Sequence, residues 1–249
     1  MKAVLFDLGN TLLEYRDFGL EAYSVRLEKA MVAIVGLMRE AGMIDGGFDP
    51  APLTRAIFER IIGLEQRAWR ESFEYDTTSE ILRALGERFA RIDKSWDRRI
   101  DGAIYGVMRK EYAPRADAVA TLRALRRAGL RTGMISNTQF RSANLMEEMR
   151  AFGFADLMDA MIFSIDLGVR KPLPAVFNAA LERLGVGAQD AVMVGDTVDA
   201  DVEGGRAMGM RTILMRTPHN AEAVARGDHH ADAVVEALSE IPPLLSKWR

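Results

Sequence analysis

Near its beginning the chain reads Lys2-Ala3-Val4-Leu5-Phe6-Asp7-Leu8-Gly9-Asn10-Thr11-Leu12. Residues 2–6 form a short run that is almost entirely apolar, and Asp7 follows it directly. Such a run, without polar alternation, is typical of a strand that a parallel sheet buries on both faces. A carboxylate at the carboxyl end of such a strand lies where open α/β sheets bind their ligands. This stretch therefore predicts the first strand of a parallel sheet and makes Asp7 a candidate nucleophile or metal ligand.

Four later runs of the same character extend the predicted sheet: residues 131–135, 160–163, 191–194 and 211–215. Between them lie segments with helical periodicity, each followed by a glycine at the position typical of a helix end: residues 116–128, 142–152 and 174–184. Strand and helix thus alternate from residue 115 onward. We predict an α/β fold with a Rossmann-like parallel sheet and helices on both faces.

A long insertion separates the first predicted strand from the second. It contains four segments of helical pattern and no convincing strand: residues 20–41, 52–70, 78–91 and 96–110. A helical region of this length is too large to be a simple loop. We therefore predict two domains, a Rossmann-like core of residues 1–13 and 114–249 and an inserted helical domain of residues 14–113.

Composition excludes several classes of protein. The chain has 33 Lys and Arg against 36 Asp and Glu, so it lacks the basic field typical of nucleic-acid-binding proteins. Cysteine is absent, which excludes disulfides, zinc–cysteine sites and a thiol nucleophile. The apolar stretches are too short for a signal peptide or a membrane span. We expect a cytoplasmic protein with neither nucleic acid nor membrane as a partner, while the sequence leaves the oligomeric state open.

A second group of carboxylates follows another predicted strand, where the chain reads Met193-Val194-Gly195-Asp196-Thr197-Val198-Asp199-Ala200-Asp201. In a parallel sheet this strand end lies at the same edge as Asp7, so the carboxylates would repel one another without a cation. Carboxylate oxygens without His or Cys favour Mg²⁺. The segments Ser136-Asn137-Thr138 and Lys171-Pro172 are expected at the same edge. An aspartate, a hydroxyl, a lysine and Mg²⁺ together match the requirements of phosphoryl transfer.

Four motifs in this order resemble those of the haloacid dehalogenase superfamily of hydrolases. They are Asp7-x-x-x-Thr11, Ser136, Lys171-Pro172 and Gly195-Asp196-Thr197-x-x-x-Asp201. The gap between the first two motifs is long, whereas the gap between the second and third is short. This spacing is similar to that of members with a helical C1-type cap after the first motif. The resemblance therefore implies that residues 14–113 form a cap over a catalytic core.

The resemblance also implies roles in the reaction. Asp7 would attack phosphorus and form an aspartyl-phosphate, with Ser136 and Lys171 as the other catalytic residues, which hold phosphate oxygens. The predicted substrate-binding residues follow the same strand ends: Asn10, Thr11, Ser136, Asn137 and Lys171.

The same resemblance assigns a metal site. Mg²⁺ would be bound by the carboxylates of Asp7 and Asp196 and by the backbone carbonyl of Gly9, while Asp201 would support the site by orienting Lys171 or a metal-bound water. The role of Asp199 stays open, because an acid in the first turn of a helix is favoured by the helix dipole alone. The predicted function is a Mg²⁺-dependent phosphatase acting on a small phosphorylated metabolite.

One position departs from the family pattern. Most phosphatases of the superfamily have a second aspartate two residues after the nucleophile, which protonates the leaving group and activates water; here that residue is Gly9. Loss of a general acid typically lowers the rate by about 10²–10⁴-fold. Because Gly9 replaces this acid, a weakly active or non-catalytic protein that binds phosphorylated metabolites stays open as an alternative. A second alternative is a 2-haloacid dehalogenase that uses the same aspartate.

Several other residues are weaker candidates. Phosphonate cleavage through a Schiff base would require a cap lysine, and Lys29 is the candidate in the first helical segment of the insertion. The histidines are expected at the surface: His219, His229 and His230. Five residues of the insertion could select the substrate or lie on exposed helix faces: Tyr15, Arg16, Arg67, Arg70 and Tyr75.

Overall fold

The structure of the chain, a computed structural model, describes residues 1–17 and 19–248. They form two compact units: a core unit, Met1–Glu14 together with the chain from Ala113 onward, and a helical unit, Tyr15–Tyr112. The borders of these units lie within one residue of the borders expected from the sequence. That the two units are separate domains, one of them a cap, stays a prediction.

The first half of the chain is mostly helical. Its elements are β1 (Ala3–Phe6), β2 (Leu13–Tyr15), α1 (Leu20–Glu40), α2 (Ala51–Glu71), α3 (Thr77–Gly86), α4 (Asp97–Met108) and β3 (Tyr112–Pro114). The second half alternates strand and helix. Its elements are α5 (Ala118–Arg127), β4 (Arg131–Ser136), α6 (Ser142–Ala151), β5 (Ala160–Phe163), α7 (Ser164–Leu167), α8 (Pro174–Leu184), β6 (Ala191–Gly195), α9 (Gly204–Ala207), β7 (Arg211–Met215), α10 (Ala221–Arg226), β8 (Ala233–Val235) and α11 (Ile241–Lys247).

Six parallel strands form the sheet of the core unit in the order β5-β4-β1-β6-β7-β8. From β1 the chain adds β4 and β5 on one side, and then returns to add β6, β7 and β8 on the other. Because crossovers between parallel strands are right-handed, connections in opposite directions place helices on opposite faces. The predicted α/β fold with a parallel sheet is therefore confirmed. The carboxyl ends of β4, β1 and β6 flank the point where the strand order reverses, which is where such sheets bind ligands.

Burial explains why the strands are apolar. All four residues of β1 are completely buried, as expected for a central strand covered on both faces. On one face Ala3 and Leu5 pack in a cluster with Val176, Phe177 and other apolar residues of α8. This packing holds β1 rigidly between its neighbours and so sets the position of the residues that follow it.

The helical unit is built from amphipathic helices. Helix α1 buries one apolar stripe, which includes Leu27, Met31 and Ile34, and packs against α4. Helix α3 begins at an N-cap, Asp76, whose side chain accepts hydrogen bonds from the backbone of Thr78 and Ser79. None of the helices in the described ranges combines the length and apolar character that crossing a membrane requires.

Three sequence predictions about the elements were wrong. The insertion was expected to contain no strand, but β2 and β3 at its two borders pair in a two-stranded sheet. The helix expected over residues 78–91 ends at Gly86, because the chain folds back there: a Cβ atom on Gly86 would lie 3.3 Å from the carbonyl oxygen of Ile92. The sheet has a sixth strand, β8, which the sequence analysis missed. It has only three residues, too few for a clear pattern, and is defined by its pairing with β7.

Candidate active site

Three polar residues meet at the carboxyl edge of the sheet. Phe6 of β1 pairs with Met134 of β4 on one side and with Val194 of β6 on the other. Asp7 comes next after Phe6, and its backbone N–H donates to the carbonyl of Val194 at 2.8 Å. The parallel register therefore brings Asp7 close to the ends of both neighbouring strands, where Ser136 and Asp196 lie.

Lys171 is the centre of the charged network. Its Nζ atom lies 2.6 Å from Oδ1 of Asp7 and 2.6 Å from Oδ1 of Asp201, and it donates a hydrogen bond to each. All three residues are buried. Burial by itself would lower the pKa of Lys171, but the carboxylates of Asp201 and Asp7 outweigh it and raise that pKa, so the lysine stays charged. A buried ammonium group with two charged partners is held in one position.

The carboxylates form a compact cluster. Asp7, Asp196 and Asp201 each have an oxygen within 4.8 Å of those of the other two. Burial raises the pKa of Asp7 to about 6, although Lys171 counteracts the shift. Burial, together with the charges of Asp7 and Asp201, also raises the pKa of Asp196. Three carboxylates and one ammonium leave two negative charges when all are ionised. Burial is the largest cause of both raised pKa values, and the neighbouring carboxylates add to it.

Asp201 reaches this cluster because of a glycine. Asp201 lies in the helical turn after β6, residues 198–203. Its Oδ2 accepts a hydrogen bond from the backbone N–H of Thr197 at 3.0 Å. A Cβ atom on Gly195 would lie 2.2 Å from the Cγ of Asp201, far inside contact distance. Only a residue without a side chain at position 195 allows Asp201 to lie against the end of β6 and face Lys171.

Asn137 holds the backbone of Lys171. Its side-chain Oδ1 accepts from the N–H of Lys171 at 2.8 Å, and its Nδ2 donates to the carbonyl of Lys171 at 3.0 Å. This pair of bonds ties the loop that carries Lys171 to the end of β4. The contact gives Asn137 a positioning role, and its direct binding of substrate stays a prediction.

The turn after β1 contains the remaining predicted residues. Asn10 has a left-handed backbone with φ of 54°, which asparagine tolerates better than most residues. The hydroxyl of Thr11 is completely buried and has no hydrogen-bond partner among the described residues, and its binding of substrate stays a prediction. Ser136 ends β4 and is buried. Gly9 lies between the nucleophile candidate and Asn10, and the binding of metal by its carbonyl stays a prediction.

Several weaker candidates lie outside the cluster. Asp199 is exposed, and Asp201 rather than Asp199 faces Lys171. His230 is exposed beside Glu203, and Nδ1 of His229 accepts from the backbone of Ala231.

In the helical unit four of the candidates contact other residues of that unit. Lys29 is exposed and pairs with Glu111. Tyr75 is buried and donates to Glu65, and the ring of Tyr15 packs against that of Tyr112. Arg67 pairs with a carboxylate of its own helix. None of these contacts assigns a role in substrate selection.

The sequence analysis missed one buried polar residue at the site. Asn220 lies after β7, and its Nδ2 donates to the backbone carbonyl of Asp196 at 2.8 Å. Asparagine before a helix normally indicates a helix cap. The contact of Asn220 with Asp196, the residue after β6, depends on the pairing of β6 with β7. No local sequence pattern predicts that pairing.

Comparison with models of protein families covers most of the chain. A model of a hydrolase family, the haloacid dehalogenase-like hydrolases, matches residues 1–209. The chain belongs to this family. The match includes the four motifs, all of the helical unit and four strands of the six-stranded sheet.

The individual proteins that this chain resembles include phosphatases and a dehalogenase. The chain is 27% identical to a ribulose-1,5-bisphosphate 5-phosphatase of Halopiger xanaduensis, over 98% of this chain and 99% of that protein. It is 32% identical to a glyceraldehyde 3-phosphate phosphatase of Methanopyrus kandleri, over 46% of this chain and 48% of that protein. Among solved structures, a 2-haloacid dehalogenase of Pseudomonas syringae matches 100% of both chains with a TM-score of 0.70 and 25% identity. Both kinds of enzyme are therefore found among the relatives of this member of the family.

Proposed function

We propose that the chain is a Mg²⁺-dependent phosphatase of small phosphorylated metabolites that works through an aspartyl-phosphate on Asp7. The observation that carries this proposal is the ammonium group of Lys171, held 2.6 Å from both Asp7 and Asp201 in a cluster that also contains Asp196. The relatives named as sugar-phosphate phosphatases support the same substrate class. A cytoplasmic location fits such substrates and stays a prediction.

In the proposed reaction a carboxylate oxygen of Asp7 attacks phosphorus. A bond forms between that oxygen and phosphorus, the ester P–O bond breaks, and the departing oxygen takes a proton from water. A second water then cleaves the aspartyl-phosphate and releases inorganic phosphate. With a pKa of about 6, Asp7 is mostly ionised at neutral pH and can act as the nucleophile.

Lys171 and the hydroxyl groups bind the phosphoryl group. The Lys171 ammonium lies beside the attacking carboxylate and can neutralise a phosphoryl oxygen as charge develops. Asp201 and the Asn137 side chain hold Lys171 in place from two sides. Ser136 and Thr11 are the hydroxyl donors at the same edge of the sheet. These residues hold the phosphorus in line with Asp7.

The donor set fits Mg²⁺. It consists of hard carboxylate oxygens with an excess of two negative charges, and among the described residues no His or other carboxylate joins this cluster. Asp7, Asp196 and the carbonyl of Gly9 would hold the ion, while Asp201 is already occupied by Lys171 and the Thr197 amide. When bound, Mg²⁺ neutralises charge on the phosphoryl oxygens.

A phosphate-release assay tests the proposal. The panel contains ribulose 1,5-bisphosphate, glyceraldehyde 3-phosphate and p-nitrophenyl phosphate, each with Mg²⁺ and with excess chelator. We expect release that requires Mg²⁺ and that disappears in Asp7→Asn, whose amide cannot form the acyl-phosphate. Activity retained in Asp7→Asn, in a preparation free of contaminating phosphatase, would contradict the role of Asp7.

The structural similarity to a 2-haloacid dehalogenase supports a second candidate. Here the same Asp7 would displace halide from carbon, a reaction for which neither the acid missing at Gly9 nor a metal is required. Chloride release from 2-chloropropionate in excess chelator is the matching assay. Chloride release without phosphate release would replace the phosphatase by this alternative.

A further inference from the structure

Asn220 is a buried residue for which the proposed reaction has no role so far. It lies in the loop between β7 and α10, outside the four motifs, and only 5% of it is exposed. It occupies the N-cap position of α10, yet its side chain makes no capping hydrogen bond. An N-cap asparagine normally accepts from the first turn of its helix. The side chain of Asn220 is used elsewhere.

The Asn220 amide group bonds three backbone groups in two segments of the chain. Its Nδ2 donates to the carbonyl of Asp196 at 2.8 Å and to the carbonyl of Met215 at 2.9 Å. Its Oδ1 accepts from the N–H of Thr217 at 3.0 Å. Both amide hydrogens and one acceptor position are thus in use, which fixes the orientation of the group.

These contacts lie where the pairing of β6 with β7 ends. Gly195 pairs with Leu214, so Asp196 and Met215 are the next residues of the two strands. Buried carbonyl groups beyond the end of a ladder need donors from elsewhere. The Asn220 amide supplies both donors and holds the peptide group that follows Asp196. Because the side chain of Asp196 branches from the same residue, this bond also restricts where its carboxylate points.

We propose that Asn220 is a positioning residue for Asp196, which it orients for binding Mg²⁺. The proposal rests on the assignment of Asp196 to the metal under the proposed function. Asn220 contacts the backbone of Asp196 and acts through it. Removing the outer partners of a metal ligand typically weakens metal binding by about 10–100-fold.

Calorimetric titration of the protein with Mg²⁺, together with urea unfolding, separates positioning from a merely structural role. Asn220→Ala removes all three bonds, and Asn220→Ser keeps a hydroxyl that can donate to one carbonyl. The matched control is Asp232→Ala: the Asp232 carboxylate accepts from the N–H of Thr212 at 2.7 Å, near the amino end of β7 and away from the carboxylate cluster. Asp232→Ala removes a part-buried bond to the same strand.

We expect the Mg²⁺ dissociation constant to rise at least about tenfold in Asn220→Ala and by an intermediate factor in Asn220→Ser. Asp232→Ala is expected to lower stability and leave Mg²⁺ binding unchanged. Equal Mg²⁺ affinity in wild type and both Asn220 variants would overturn the proposal, even if they unfold more easily. Asn220→Ser decides the matter if Asn220→Ala does not fold. A wild-type protein that binds no Mg²⁺ would instead contradict the metal assignment, and the proposal with it.

Discussion

The Nζ atom of Lys171 lies 2.6 Å from Oδ1 of Asp201, and only 1% of each side chain is exposed. Two opposite charges this deeply buried stabilise each other, because a buried charge without a partner is costly in a medium of low polarity. Asp7 is the second partner of the same ammonium group. The proposed nucleophile and its supporting aspartate are therefore linked through one lysine.

Asp201→Asn removes the negative charge of this pair, while the side chain at position 201 keeps nearly the same size. We expect stability to fall, but by less than the about 3–5 kcal/mol that is usual when a buried ion pair loses one partner, because Asp7 still pairs with Lys171. Phosphate release should fall as well, because Lys171 then has only Asp7 to hold it. Urea unfolding measures the first effect.

Glu236→Gln is the matched control for Asp201→Asn. It makes the same acid-to-amide change in an exposed pair with Arg216, where a loss of about 0–1 kcal/mol is expected. If both variants lose the same small amount of stability, the pair of Lys171 and Asp201 is not the buried network described above.

Gly195→Ala tests the close approach of Asp201 to β6. The added Cβ would lie 2.2 Å from the Cγ of Asp201, so the carboxylate must move away from Lys171. Overpacking of this kind typically costs about 1–3 kcal/mol, and we expect phosphate release to fall in parallel. Urea unfolding and steady-state assays measure the two effects.

Gly63→Ala in α2 controls for the glycine-to-alanine change itself. Apart from the chain neighbours and the backbone of the helix itself, no heavy atom lies within 4 Å of the Cβ that it would add. In a helix interior alanine is more favourable than glycine by about 1 kcal/mol. We expect this variant to be at least as stable as wild type. A Gly195→Ala protein with normal activity would show that Asp201 does not need its present position.

Mg²⁺ binding should depend on pH with a definite sign. In the metal-free protein burial raises the pKa of Asp7 from 3.8 to about 6. Between these values the folded state binds more protons than the unfolded state, so the contribution of Asp7 to stability is present at low pH and is lost as pH rises through about 6. Mg²⁺ requires the ionised carboxylate. Its stabilising effect should therefore be small at pH 5 and large at pH 7.5.

Thermal unfolding with and without Mg²⁺ at the two pH values checks this expectation. At a concentration of 100 times the dissociation constant, a ligand stabilises by about 2.7 kcal/mol. Matched ionic strength with KCl controls for general salt effects, and Asp196→Asn should reduce the shift. An equal shift at both pH values would mean that Mg²⁺ binds away from the buried carboxylates.

The sequence predicted the strands of the sheet and the main site residues, but it did not predict all of the contacts between them. Apolar runs that are buried on both faces have a strong local signal, so β1 and its central neighbours were found close to their observed bounds. Asp7, Lys171, Asp196 and Asp201 were named together because each follows a strand end in a known order of motifs. The structure brings three of these four into direct hydrogen-bond contact.

Contacts that depend on register could not be predicted. Asn137 was expected to bind substrate, but whether its amide faces a ligand or the backbone of Lys171 depends on how a distant loop packs. Asn220 has the local pattern of a helix cap, and only the pairing of β6 with β7 places it beside Asp196. In both residues the local pattern identified a polar group and left its partner undetermined.

Gly9 leads to the last prediction, because it removes a proton donor from the expected position. Without a carboxyl group there, the leaving oxygen departs with little protonation, so phenolates should leave faster than sugar alkoxides. In the described residues the left-handed backbone of this turn is at Asn10 and not at Gly9, so an aspartate at position 9 meets no such backbone strain. Gly9→Asp should therefore raise the rate on alkyl phosphates more than on aryl phosphates. The expected gain on alkyl phosphates is about 10²-fold or more.

Gly9→Asn is the matched control, because it adds a side chain of the same size that cannot donate an acidic proton. Rates measured against leaving-group pKa should show a steep dependence for wild type and Gly9→Asn and a shallow one for Gly9→Asp. A shallow dependence in the wild type, with chemistry rate-limiting, would mean that another residue of the chain protonates the leaving group. Equal behaviour of Gly9→Asp and Gly9→Asn would show that a carboxyl group at position 9 does not reach the leaving oxygen.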